Sequence, residues 1–303
     1  MSILNRLESL GLIHPPKWLI TNVHYMTLSG SVSYGVSADN SDNDIVGFAI
    51  PQKEMIFPHL CGEIEGFGKQ KKRFNQWQEH HVDDKSAGKM YDFTIYSIVT
   101  YFNLCMGNNP NMIDSLFTPV NCVIHSTSIG NMVRENRKIF LHKGCWPKFK
   151  GYAYSQMYKI EHKDPDEGGK RRELIEKYGY DTKHAYNVIR LMDEVEQILT
   201  LGDLDLQRAR EQMKSVRRGE WKLEDIKQHF QTKEKVLEEV YAKSTLPWGP
   251  DEPRIKQLLL DCLEHHFGSL DKCVAVYGNF SEILGALDDA ISKLKKALSA
   301  SNM

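Results

Sequence analysis

GSVSYGVSADNSDNDIVG, residues 30–47, lies between two apolar runs, VHYMTLS at 23–29 and IVGFAI at 45–50. The first run mixes β-branched and aromatic residues and stops at Gly30, which predicts a strand. The second stops at Pro51 and predicts another. Gly30 has no Cβ, so the backbone at the strand end can approach a phosphate closely. Ser31 adds a hydroxyl, and a short helix opening after it would turn backbone N–H groups toward an anion. The polar stretch from Ser37 to Ser41 is turn-prone and brings the chain back, with Ser41 expected to cap or brace the turn. Asp42 and Asp44 then flank Asn43. If a strand begins here, both carboxylates point to one face, because strand side chains alternate with period two. Such a pair suits a hard cation such as magnesium. Two such ions about 3.5–4 Å apart are a recurring arrangement in phosphoryl chemistry.

Outward from this stretch, KMYDFTI at 89–95 alternates like a strand and carries a third carboxylate, Asp92. Residues 64–82 are charged and aromatic, consistent with another strand or an exposed excursion. YSIVTYFNLCM at 96–106 has helical spacing through Ile98, Phe102 and Cys105. Gly107 is placed to stop that helix, and Asn109 or Asn111 beside Pro110 to start the next. Beyond residue 150 the chain is highly charged and reads as helices. The fold class expected is α+β: a small mixed sheet with helices, followed by an α-helical domain, with no regular βαβ period. The expected division is 1–120 for the sheet domain, 121–150 for a connection, 151–266 for the helical domain and 267–303 for a helical tail.

Composition limits the function classes. The chain has 303 residues, 41% of them hydrophobic and 26% charged, with a formal net charge of −1. That is enough apolar material for a core, and the global charge does not mark a nucleic-acid binder. The six cysteines form no CxxC pair, which argues against a zinc knuckle or disulfide framework and for reduced thiols in the cytoplasm. The first nineteen residues are amphipathic and end near Pro15-Pro16, unlike a signal peptide. No run reaches the roughly 18 apolar residues needed to span a bilayer.

A DxD alone is common in solvated turns, and a GS alone is weaker still. The order strand, GS, polar turn, DxD, apolar strand, then a lone Asp in a later strand is far more specific. Residues 30–47 resemble the signature of the DNA polymerase beta-like nucleotidyltransferase superfamily, GS followed by DxD. In the longer form GSxxYGxxxxxSDxDxxG they are similar to the group that includes a polymerase-beta-like protein of a bacterial RNA-repair pathway. DFTIYS around Asp92, GNNPN at 107–111 leading into MIDSLF, GYDTKHAYNVIRL at 179–191, VRRGEW at 216–221 and LPWGPDE at 246–252 extend the resemblance over about residues 20–265. That group often has Glu where this chain has Asp114.

The resemblance implies an NTP substrate, two Mg2+ ions (with Mn2+ as a substitute) and transfer of a nucleoside monophosphate with pyrophosphate release. Asp42, Asp44 and Asp92 would be the catalytic metal ligands. Gly30 and Ser31 would hold the terminal phosphates, with Tyr34 and Ser41 in the same nucleotide-binding signature and Tyr34 equally open to a packing role. Lys183 and Arg190 lie seven residues apart in one expected helix, close to two turns, so they share a face that could approach the triphosphate or the acceptor. By pattern alone that face is as well explained by solvated salt bridges.

The acceptor is less legible. Basic clusters at Lys69-Lys71-Lys72-Arg73, Lys170-Arg171-Arg172 and Arg208-Arg210-Lys214-Arg217-Arg218 make an RNA 3′ end plausible, the first beside Phe67, Phe74 and Trp77. A small-molecule or protein acceptor is the alternative, and a non-catalytic nucleotide- or RNA-binding module is a second. Leu284, Leu287, Ile291, Leu294 and Leu298 form a heptad seam of under three heptads, consistent with a monomer or a weak dimer through the C-terminal helix.

Overall fold

The computed structural model describes residues 2–37, 43–70, 72–162 and 170–271, with Leu287, Ala290, Ile291 and Lys293. In chain order the elements are α1 (Ile3–Ser9), α2 (Leu19–Asn22), β1 (Val23–Leu28), β2 (Asn43–Ala49), α3 (Lys53–Ile56), β3 (Gln76–Asp84) and β4 (Lys89–Ser97). Then follow α4 (Ile98–Met106), α5 (Pro110–Phe117), β5 (Val123–Ser126), α6 (Ser128–Glu135), α7 (Cys145–Glu161) and α8 (Lys170–Tyr178). The remaining helices are α9 (Thr182–Leu201), α10 (Arg210–Arg217), α11 (Leu223–Lys243) and α12 (Glu252–Phe267). The fold is α+β, as the sequence pattern predicts.

Residues 1–51 and 74–266 make one unit, which holds the whole sheet and most of the helices. Residues 52–73 and 267–303 make a second. In the second unit α3 is followed by a short 3-10 turn, Pro58–Cys61, and by a bridge between Ile64 and Phe67. Leu287 and Ile291 of the heptad seam are exposed, and Leu284, Leu294 and Leu298 lie outside the described residues.

The sheet order is β3-β4-β2-β1-β5. β2 and β4 pair in parallel and the other neighbours are antiparallel. Alternation divides the strands into two faces. On one, Met26, Ile45, Trp77, Tyr91, Phe93 and Ile95 join Leu4 and Leu7 of α1 in a single core cluster. The N-terminal amphipathic segment is therefore a lid on the sheet. On the other face Phe48 lies between Tyr25 and Tyr101, with ring centroids 5.9 and 5.0 Å away. There the Tyr25 hydroxyl donates to the Ser115 carbonyl at 2.7 Å, which ties α5 to the sheet.

Helix boundaries follow local chemistry. Ser97 caps α4 by accepting from the Thr100 N–H, and Gly107 ends it. Asn109 caps α5 by accepting from the N–H groups of Asn111 and Met112, with Pro110 in the first turn. Asp181 caps α9 by accepting from Lys183 and His184, and Gly202 ends it in the left-handed conformation. α9 packs against α7, α10 and α11. The pairing of β5 with β1 is not anticipated by the sequence, because VIHS is short and half polar. Among the described residues no helix is long and apolar enough to cross a membrane. Cys105, Cys122, Cys145 and Cys262 are buried free thiols, and Cys61 is an exposed one.

Near the start of β1 His24 is buried between Thr127 and His266. Its Nδ1 is 2.9 Å from Thr127 Oγ1 and its Nε2 is 3.0 Å from His266 Nδ1. Burial, with smaller contributions from His266, His125 and His265, lowers the His24 pKa to about 4. Burial also lowers that of His266. A histidine whose folded pKa is depressed stabilises the fold above its unfolded pKa of about 6.5 and loses that stability as pH falls toward the folded value. Urea midpoints of the wild-type protein should therefore fall from pH 6.5 to pH 4.5 more steeply than those of His24→Gln. The His24 difference is worth up to about 3 kcal/mol. Parallel curves for the two proteins would rule this origin out.

Candidate functional site

The parallel pairing of β2 with β4 sets Asp44 opposite Asp92 as register partners. Neighbouring strands are about 4.8 Å apart, and partner side chains in a parallel pair leave on the same face. The two carboxylates thus stand side by side on the face that Phe48 also occupies, away from the α1 lid. Asp44 is exposed and Asp92 half-buried. Ser41 and Asp42 lie outside the described residues.

Gly30 begins the turn after β1 with φ +65°. The Ser29 N–H donates to the Asp44 carbonyl at 2.8 Å, which brings the start of the turn against β2. A Cβ added at Gly30 would lie 2.9 Å from Asp44 Oδ2, so the carboxylate would have to shift. The absent side chain therefore has two causes, a left-handed backbone and a neighbouring carboxylate. Residues 31–35, including Ser31, form hydrogen-bonded turns rather than the short helix expected. One bond, from the Tyr34 N–H to the Gly30 carbonyl at 3.2 Å, has helical spacing.

Asp92 is held from β3. The register of β3 on β4 shifts between Glu79 and Val82. At this bulge His81 takes φ +57° and its N–H donates to Asp92 Oδ1 at 2.6 Å. The Nδ1 atoms of His80 and His81 are 3.8 and 3.9 Å from the same oxygen. These histidines are absent from the sequence reading because nothing in QWQEHHVDD marks a bulge. A residue at positive φ beside a functional group is a common form of local strain at sites.

Tyr34 and Arg190 lie in one buried cluster. Tyr34 donates its hydroxyl hydrogen to Asp114 Oδ2 at 2.7 Å, and the Arg190 guanidinium carbon sits 4.7 Å from the Tyr34 ring centre. Arg190 Nη1 pairs with the same Asp114 oxygen and lies 3.0 Å from Glu194 Oε2. All four residues are buried; Arg190 is 5% exposed. Burial raises the Asp114 and Glu194 carboxyls, and Arg190 acts in the opposite direction. Burial works against the Arg190 charge too, but Glu194, Tyr34 and Asp114 outweigh it and hold the guanidinium protonated. The polar groups of Tyr34 and Arg190 face each other inside the protein, which is the packing role that the sequence leaves open for Tyr34. The Glu194 partner was visible as an i,i+4 pair with Arg190.

Lys183 is exposed in the first turn of α9, so helical spacing alone did not give it and Arg190 a common environment. His184 is a core histidine, with Nδ1 2.7 Å from Gln156 Oε1. Tyr186, also on α9, is buried, and burial raises its hydroxyl pKa; the Asp44 charge is a smaller contributor in the same direction.

The basic clusters divide differently from the sequence reading. Arg208 pairs with Asp193 and Glu196, Lys214 with Glu211, and Arg218 with Glu220. Arg172 pairs with Glu176. Near the first cluster Phe67 is exposed, but Phe74 packs edge-on against Trp18 and Trp77 is in the core. Three interleaved stacking rings are not available there. Lys71 lies outside the described residues.

Asp44 and Asp92 supply hard oxygen donors of the kind magnesium prefers. Among the described residues they make a pair, and no group of three or more His, Cys, Asp or Glu side chains is arranged for a metal ion. Asp42, two positions before Asp44, is the residue that would extend the pair. The donor set therefore fits a hard divalent cation.

Gly30→Ala tests the turn. It should leave the folded state intact, at a cost of about 1–2 kcal/mol for the left-handed backbone. It should lower turnover about 100-fold through displacement of the Asp44 carboxylate. Thermal melting and a phosphoryl-transfer assay check both parts, and unchanged turnover would remove Gly30 from the site.

Among curated proteins none matches the chain. A solved structure, the crystal structure of a nucleotidyltransferase-like protein from Exiguobacterium sibiricum 255-15, is similar over 86% of this chain and 72% of its own. The identity is 9% and the TM-score 0.29, too slight a likeness to bear on activity. The sequence of residues 8–261 matches the RNA repair pathway DNA polymerase beta family. With that match covering most of its length, the chain belongs to the RNA repair pathway DNA polymerase beta family, and so to the polymerase beta-like nucleotidyltransferases.

Proposed function

We propose that the chain transfers a nucleoside monophosphate from an NTP to a hydroxyl acceptor and releases pyrophosphate. The observation that carries this reading is the Asp44–Asp92 register pair with the Gly30 turn folded against Asp44. Asp42, Asp44 and Asp92 would hold two magnesium ions, or manganese in their place. When bound, these ions neutralise charge on the phosphates and favour the ionised form of the attacking hydroxyl.

The chain's own residues position the reactants. Gly30 and Ser31 take the terminal phosphates on the turn, with Ser41 bracing its return. Lys183 reaches them as a flexible point charge from the exposed first turn of α9. The His81 N–H holds one oxygen of Asp92, which orients that carboxylate. Residues 1–120 thus carry the donor chemistry, 121–150 connect, and 151–266 supply α9. Orientation and charge neutralisation supply most of the acceleration in phosphoryl transfer.

The acceptor in this reading is an RNA 3′ end, a choice supported by the family to which the chain belongs. The basic clusters give it less support than their sequence suggests, since many of their cations are paired.

The test offers all four α-labelled NTPs, magnesium and total RNA to the purified protein. Labelled RNA and pyrophosphate are expected. Asp44→Ala and Asp42→Ala should each lower the rate by at least about 10²–10³-fold, the scale for losing one preorganised electrostatic group. Label confined to small molecules or protein would replace the acceptor. Wild-type release of pyrophosphate by a folded Asp42→Ala/Asp44→Ala double variant would overturn the reading altogether.

A further inference from the structure

The turn that carries Gly30 and Ser31 is gripped from the helical half of the chain. Arg190 of α9 covers the Tyr34 ring. Gln207, between α9 and α10, donates from Nε2 to the Ser33 carbonyl at 3.1 Å. Arg217, near the end of α10, donates from Nη1 to the Val36 carbonyl. Two of the contacts precede Gly35 and one follows it; Gly35 has φ +67°, and a Cβ there would sit 3.4 Å from the Gln207 amide and 3.6 Å from Arg210 Cδ. Those are ordinary contact distances, so it is the left-handed backbone that calls for glycine at 35.

The gripping residues are themselves fixed. The Gln207 N–H donates to Asp205 Oδ1 at 2.9 Å. The Asp205 N–H donates to Gln197 Oε1 of α9 at 2.9 Å, and Gln197 Nε2 returns a bond to the Asp205 carbonyl at 3.0 Å. The Arg217 guanidinium carbon is 5.8 Å from the centre of the Tyr186 ring on α9. The segment from 205 to 217 is thus stitched to α9 and reaches across to the turn.

We propose that Gln207 and Arg217 are positioning residues for the nucleotide: they fix the 30–36 turn beside Asp44 in the geometry that holds the terminal phosphates. This deepens the proposed function and rests on it. Both residues act through backbone carbonyls of the turn, so each sets where the turn's N–H groups lie without touching the nucleotide. Arg217 is one of the cations in the VRRGEW motif, and the structure gives it a task other than meeting a polyanion. Arg190 performs the same service through Tyr34, but its removal would strand two buried carboxylates. Gln207 and Arg217 are half-buried and can be changed with less risk to folding.

The test uses the full chain with Gln207→Ala, Arg217→Ala and Arg217→Lys, each shown to be folded by circular dichroism. Two measurements are made. Amide hydrogen exchange over residues 30–36 should rise about tenfold in both alanine variants while α9 stays protected, the scale of one lost hydrogen bond. In the pyrophosphate-release assay KM for the NTP should rise about tenfold with kcat changed less than about twofold, the signature of lost uniform binding. Arg217→Lys should recover most of both effects, because an ammonium still donates to the Val36 carbonyl. Unchanged exchange over 30–36 overturns the grip. Faster exchange with unchanged KM overturns the positioning role. A wild-type protein that releases no pyrophosphate from any NTP overturns the function reading and this role with it, while exchange still decides whether the turn is gripped.

Discussion

Arg190 carries a full charge into the interior and meets Asp114, Glu194 and the face of Tyr34 there. These four residues come from α9, α5 and the turn after β1, segments far apart in sequence. A buried charge is tolerated only when paired, and removing one partner of such a set costs about 3–5 kcal/mol. The cluster therefore fixes three elements relative to each other at once. Because Tyr34 lies within the turn that begins at Gly30, the placement of that turn depends on an ion pair formed elsewhere. The helical half is thus part of the architecture of the candidate site as well as its wall.

The second constraint is the parallel pairing of β2 with β4. Two aspartates 48 positions apart become neighbours because Asp44 and Asp92 share a register. A slip of one residue would turn one carboxylate to the α1 side of the sheet, where Ile45 and Phe93 belong. The apolar lid and the polar site thus enforce the same register from opposite faces. The bulge at His80–His81 adds a backbone donor to Asp92 on its other side.

Much of this was written locally. Gly30, the strand before it, the DxD, the alternation around Asp92 and the caps at Asn109 and Gly107 are short-range signals, each decided by backbone conformation or by a hydrogen bond within a few residues. The α+β class follows from them. The surroundings of Tyr34 and Arg190 are not written locally in this way. A tyrosine in a polar turn and an arginine on an amphipathic helix look exposed until the element that covers them is known. The basic run from 208 to 218 misled similarly, since Asp193 and Glu196, which neutralise Arg208, lie on the preceding helix.

By itself the sequence determined the chemistry on offer: a glycine free to turn left-handed, carboxylates two apart before a strand and another inside a later strand. These depend on side-chain type and period-two spacing, which survive in any fold that keeps the strands. Only the tertiary structure decided which strand lies beside which, and therefore that Asp44 faces Asp92. It also decided that Tyr34 and Arg190 turn inward, and that Gln207 and Arg217 reach the turn from the helical half. Those facts depend on burial and on hydrogen bonds between residues far apart in the chain, and no local pattern encodes such a distance.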